Sequence, residues 1–237
     1  MSWAAALSES WEPPMDRRFG LGVAMVATLL ALLASHGAIA QEEFPPPSGK
    51  GRVVLVASGA TGMPNYRDVA GRIAALGYDV VLFDSNNWAG TQDQGLRNAI
   101  AQAQRMPHAL PGKVGLVGFS LGGGYVLGYG TAWRDQVAVV AAWYPSTTAF
   151  KDPPAWAGRV SVPTVMFAGE NDTYHNCCLI DKARAIGKAA QAAGAPFELT
   201  TYPNTPHGFN ILGANYKAQA YGDAFARTEA ALKKNMN

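Results

Sequence analysis

The chain has 237 residues, 49% of them hydrophobic and 15% charged, with a formal net charge of +2. That length suits one domain, the low charge excludes a disordered chain, and no basic stripe supports a nucleic-acid partner. Two cysteines are too few for a disulfide framework, and a core of this size needs none.

In chain order, a leader comes first. Arg17 and Arg18 precede an uncharged stretch from Phe19 to Ala40, with VAMVATLLALLA at its centre and Ala38-Ile39-Ala40 at its end. A positive flank, a short apolar run and an A-x-A close make a secretory signal peptide over residues 1–40, cleaved after Ala40. Met15 fits as the true start, because starting at Met1 adds an unusual acidic leader. Arg17-Arg18-Phe19 bears a weak likeness to a twin-arginine export signal. The alternative is an uncleaved anchor over Gly20 to Ala40, and the shortness of the central apolar run argues against it. The expectation is an exported protein, periplasmic or secreted, with no stable membrane anchor after cleavage.

Residues 41–51 hold Pro45-Pro46-Pro47 and no periodicity, so they read as an extended lead-in to a domain over 52–237. Short apolar runs at 53–57, 79–83, 114–118, 137–142, 164–168 and 197–202 predict strands. Helical spacing predicts helices over 66–76, 92–105, 121–133, 179–193 and 216–234. Residues 145–160 have no clear element and read as a lid or rim. Such alternation implies an α/β fold, with a mainly parallel central sheet and helices on both faces. Ligands then sit beyond the carboxyl ends of the strands, which directs attention to the loops there.

Gly118-Phe-Ser120-Leu-Gly122 falls between a predicted strand and a predicted helix. This is the G-x-S-x-G turn that projects a serine nucleophile clear of a sheet, and the glycines remove side chains that would collide. Serine needs a base. Of four histidines, His36 lies in the leader and His108 before the Ser120 strand, at the wrong end of the sheet. His175 shares its loop with the best acid candidate, whereas His207 follows the last predicted strand, which makes His207 the base. Asp172, in Gly169-Glu-Asn-Asp172, is the preferred acid, with Glu170 its competitor. The order Ser120, Asp172, His207 is that of α/β-hydrolases. The backbone N–H of Leu121 points into the same space, and Ala60 of Ser58-Gly-Ala-Thr-Gly62 is the chosen second oxyanion donor, with Gly59 its near rival.

Together these residues resemble the dienelactone hydrolase family of α/β-hydrolases. The likeness rests on Gly118-Phe-Ser-Leu-Gly-Gly123, Gly169-Glu-Asn-Asp172, His207-Gly-Phe209 and Gly77-Tyr-Asp-Val-Val-Leu-Phe-Asp84. It implies a hydrolase without a large cap domain. Founding members use a cysteine nucleophile and a glutamate in the first-strand loop. Here Ser120 and Ser58 stand instead, so the resemblance implies serine chemistry through an acyl-enzyme on carboxylic esters or lactones. Gly118-Phe-Ser-Leu-Gly-Gly-Gly124 also resembles secreted cutinase-like polyester hydrolases, whereas the Pro-His207-Gly-Phe run favours the dienelactone hydrolase side. Further alternatives are an acyltransferase or perhydrolase using the same acyl-enzyme, and a binding protein that has lost turnover.

Cys177 and Cys178 are adjacent, and an exported chain meets oxidising conditions, so a vicinal disulfide and a reduced buried pair are both open to it. A zinc site from His175 and these cysteines lacks a second ligand cluster, and no metal or other cofactor is expected. Asp84 is read as a loop hydrogen-bonder lining the site, and Trp88, Trp143, Tyr144 and Trp156 as aromatic walls of a substrate pocket.

Overall fold

A computed structural model describes residues 41–87 and 91–236, so the leader read in residues 1–40 and the pocket candidate Trp88 lie outside the described residues. Seven strands form one sheet: β1 (Gln41–Phe44), β2 (Gly51–Ala57), β3 (Asp79–Phe83), β4 (Ala109–Phe119), β5 (Val137–Trp143), β6 (Thr164–Gly169) and β7 (Phe197–Tyr202). Their spatial order is β1-β3-β2-β4-β5-β6-β7. Every pairing is parallel except that of β1, which lies antiparallel along β3 with Gln41 opposite Phe83 and Phe44 opposite Val80.

The helices are α1 (Arg67–Ala74), α2 (Gln92–Ala103), α3 (Ser120–Gly128), α4 (Pro153–Ala157), α5 (Ile180–Ala192) and α6 (Ala218–Met236). Alternation along each strand divides the core between the two faces. Val53, Leu55, Val81, Phe83 and Leu116 face Leu96 and Ile100 of α2, Val126 of α3, Trp156 of α4 and Ile186 of α5. Val54, Val56, Val80, Leu82 and Val117 face Val69 and Ile73 of α1 and Ala224, Phe225 and Leu232 of α6. Burying each such side chain contributes about 1.5–3 kcal/mol. Two-sided burial is why the strands read as continuous apolar runs. Among the described residues no connection between strands carries more than one α-helix, so no cap is inserted. None of the described helices is long and apolar enough to cross a membrane.

Two segments differ from the sequence reading. The lead-in over 41–51 contains β1, an edge strand fixed by pairing to β3 and by Arg67 of α1, whose guanidinium donates to Glu42 at 2.7 Å. The 145–160 stretch contains α4, whose start is capped by Asp152 accepting from the Ala155 N–H at 3.0 Å.

Candidate active site

Ser120 sits where β4 turns into α3, with φ 50° in the left-handed region. The space around it is bounded by backbone. A Cβ on Gly122 would lie 2.5 Å from the Ser58 carbonyl oxygen, and one on Gly118 would lie 2.6 Å from that of Gly122. Removing those side chains lets α3 press against the loop after β2, where the Gly122 N–H donates to Ser58 O at 3.1 Å. The Ser146 N–H donates to Ser120 O at 2.8 Å and ties the same turn to the segment after β5.

Two further loops close on this turn. Gly169 ends β6, and a Cβ there would meet Thr205 O at 2.2 Å, so only glycine lets the acid loop touch the segment carrying His207. The Asn171 N–H donates to Thr205 O at 3.0 Å across that contact. His207 Nδ1 then lies 2.7 Å from Asp172 Oδ2, and its Nε2 lies 2.9 Å from Ser120 Oγ. With the ring proton on Nδ1, the imidazole donates to the carboxylate and accepts from the hydroxyl. Asp172 is buried, and its other oxygen accepts from the Tyr174 N–H at 3.1 Å. Glu170, the competitor, turns away and accepts from Arg184 and Thr201, each at 2.9 Å.

The imidazole is held on both sides. The Tyr174 ring stacks on it with centroids 4.5 Å apart and planes 6° from parallel, and Tyr144 meets it edge-on at 4.7 Å. Phe209, two residues on, is fully buried against Trp143 and Tyr144 and anchors the His207 loop. Burial holds the Tyr66 phenol above its ordinary range and the fully enclosed Tyr144 phenol well above it, so both act as neutral groups. Cys177 and Cys178 are joined by a disulfide, and their sulfurs lie within 4.8 Å of a His207 ring nitrogen. Cys177 O accepts from the Thr147 N–H and hydroxyl, which links this bridge to the segment after β5.

A cleft of about 280 Å³ opens over Ser120 and His207, walled by Ala60, Tyr66, Tyr174, Ile211 and Leu212. Ala60 therefore borders the cleft, as its reading as an oxyanion donor requires. The Leu121 N–H belongs to the first turn of α3, where backbone donors have no intrahelical acceptor. Leu121 also lines a separate hollow shared with Tyr125 and Trp156.

Several pocket readings need correction. Trp143 is fully buried in the core, donating from Nε1 to Thr228 of α6 at 3.2 Å, so it does not line the cleft. Trp156 is likewise buried, donating to Leu127 O at 3.1 Å. Tyr144 supports the imidazole and donates to Asn210 from within the core, again without lining the cleft. Asp84 is a loop hydrogen-bonder, accepting from Ser58, Asn86 and Asn87, but it does not wall the cleft. The sequence reading passed over Tyr66, Tyr174 and Ile211. Tyr174 had a signal, since it follows Asp172 by two residues. The other two come from remote segments and had none.

This sheet, with a serine on a strained turn at the carboxyl end of a central strand, defines an α/β-hydrolase. The chain belongs to the dienelactone hydrolase family, whose model matches residues 83–236, and it is a carboxylic ester hydrolase acting on small-molecule esters. The match begins at the end of β3, so the Ser58 loop lies ahead of it. Similar solved structures share the fold at low identity. A Klebsiella pneumoniae protein described as a dienelactone hydrolase is 21% identical, with a TM-score of 0.67, over 83% of this chain and 99% of that one. A dienelactone hydrolase-like promiscuous phosphotriesterase from metagenomic libraries is 16% identical, with a TM-score of 0.65, over 83% and 99%. A thermophilic esterase of Thermogutta terrifontis with propionate bound is 15% identical, with a TM-score of 0.63, over 85% and 91%. A search of curated proteins gives no match.

Proposed function

We propose that the chain is an exported serine hydrolase that cleaves carboxylic esters or lactones through an acyl-enzyme. The observation that carries this reading is the placement of His207 within hydrogen-bond reach of both Ser120 Oγ and the Asp172 carboxylate. Nε2 takes the Ser120 proton as Oγ attacks the ester carbonyl. Asp172 fixes the tautomer and stabilises the imidazolium. The N–H groups of Leu121 and Ala60 meet the developing oxyanion. His207 then returns the proton to the leaving alcohol, and water repeats the sequence to release the acid. Among the described residues no Asp, Glu, Lys or Arg walls the cleft, which favours uncharged acyl and alcohol groups.

Ser120→Ala tests the role directly. The variant loses all labelling by a fluorophosphonate and all ester turnover while its thermal melt matches that of the parent chain; labelling that persists at another residue overturns the assignment. Export rests on the leader pattern of residues 1–40. Amino-terminal sequencing of the exported chain should give Gln41 as the first residue, and an exported chain that retains the Arg17-Arg18 segment contradicts it.

A further inference from the structure

At the opposite end of the sheet from Ser120, three side chains from separate segments converge. Glu43 comes from β1, Asp79 opens β3, and His108 immediately precedes β4. One ligand-type atom from each lies within 4.8 Å of the other two, and His108 Nδ1 is 3.0 Å from Glu43 Oε1. Strand β2 runs between β3 and β4 but begins with Gly51, where a Cβ would stand 2.6 Å from the Asp79 nitrogen. The Gly51 N–H donates to His108 O at 2.9 Å, which draws the histidine segment over that gap.

Asp79 is the decisive member. The residue is wholly buried, and neither of its carboxylate oxygens has a hydrogen-bond partner. A buried carboxylate with no donor costs several kcal/mol unless something neutralises it. Its neighbours are the Glu43 carboxylate and the His108 imidazole, which face each other at 3.0 Å, so neither supplies Asp79 with a donor.

We propose that Glu43, Asp79 and His108 form a zinc site that cross-links the edge strand β1 to the body of the sheet. One imidazole nitrogen and two carboxylate oxygens are a zinc donor set, and the nitrogen disfavours calcium and magnesium, which take oxygen ligands. Ligands about 2.1 Å from a tetrahedral ion sit about 3.4 Å apart, close to the spacing found between His108 and Glu43. The His108 side chain is 43% exposed and that of Glu43 17%, which leaves an open side for entry and for a water as fourth ligand. Binding exchanges the proton between His108 and Glu43 for the ion, and two ionised carboxylates balance its charge. The six steps from Gly51 to Ala57 along β2, at about 3.3 Å each, separate the site from the Ser120 end by roughly 20 Å, so the ion takes no part in ester cleavage.

The test uses chelator-treated full chain under non-reducing conditions, with Zn²⁺ alone as probe, followed by calorimetric titration and thermal melting. One equivalent binds and the melting temperature rises, because the ion is held by the folded state and not by the unfolded one. Ca²⁺ gives no such rise. Glu43→Gln, Asp79→Asn and His108→Gln each abolish the zinc response, while ester turnover below the melting range stays at the parental rate. His108 is the most exposed of the three, so His108→Gln keeps the test decisive even if burial makes the Asp79 variant fail to fold. A chain that takes up no zinc, or a zinc response that survives His108→Gln, overturns the proposal.

Discussion

The imidazole of His207 is positioned by more than its two hydrogen bonds. Tyr174 supplies a backbone N–H to the far oxygen of Asp172 and a ring face to His207, so one residue braces both the proposed acid and the proposed base. Aromatic stacking of this kind contributes about 0.5–1.5 kcal/mol beyond burial. Only the ring face depends on the side chain; the backbone contact survives substitution. Tyr174→Phe should therefore keep kcat near the parental value, and Tyr174→Ala should lower it by up to about tenfold. Steady-state kinetics on a soluble aryl ester measures this, and equal rates for the two variants would show that the stack does not orient the base. Tyr174 also walls the cleft, so a change in KM for Tyr174→Ala is expected alongside and does not by itself bear on positioning.

Elements were legible in the sequence where a single local cause made them. Strand β3 matches its apolar run residue for residue, because a strand buried on both faces tolerates little else; the half-buried edge strand β7 matches its span through β-branched and aromatic residues instead. The polar start of β4, at 109–113, was not legible: Pro111, Gly112 and Lys113 have no apolar pattern, and the strand extends there because Gly51 and Arg52 of β2 pair with Ala109 and Leu110. The same holds for β1, four half-buried residues held extended by the open edge of β3 and by Arg67. Helix α4 is five residues long and set by its Asp152 cap and by Trp156 filling the core, which a periodicity argument cannot detect over so short a span. At the site, Ser120, Asp172 and His207 were readable because each follows a strand at the carboxyl end of the sheet and is marked by glycines. The aromatic residues were not, since a tryptophan after a strand reads alike whether it faces a cleft or, as Trp143 does, the helix behind the sheet. Gly169 shows what lies between these cases: its need is visible only when Thr205, thirty-six residues later, is found against it.

Over the whole molecule, chemistry and cohesion occupy opposite ends of the sheet. The loops after β2, β4, β6 and β7 build the cleft, whereas β1 lies along the free edge of β3 and brings Glu43 to the cluster at the far end. With the proposed leader cleavage after Ala40, the exported chain would open on the residues of this edge strand, Gln41–Phe44. That strand covers the free edge of β3, packs Phe44 beside the Val80 and Leu82 face, and ties Glu42 to Arg67. A chain starting at Ser48 would uncover Val80 to Phe83 as an unpaired apolar edge, the kind of surface on which other chains add strands. It should melt at a lower temperature than the chain starting at Gln41 and aggregate on heating. Light scattering during a thermal ramp measures both effects, and chelator in both samples removes any contribution from bound metal. Well below the melting range the truncated chain should still hydrolyse a soluble ester at close to the parental kcat, because β1 contributes no residue to the cleft. A truncated chain that melts at the parental temperature would show that β1 is dispensable to the sheet, and a selective loss of turnover in a stably folded truncation would show that the two ends are coupled.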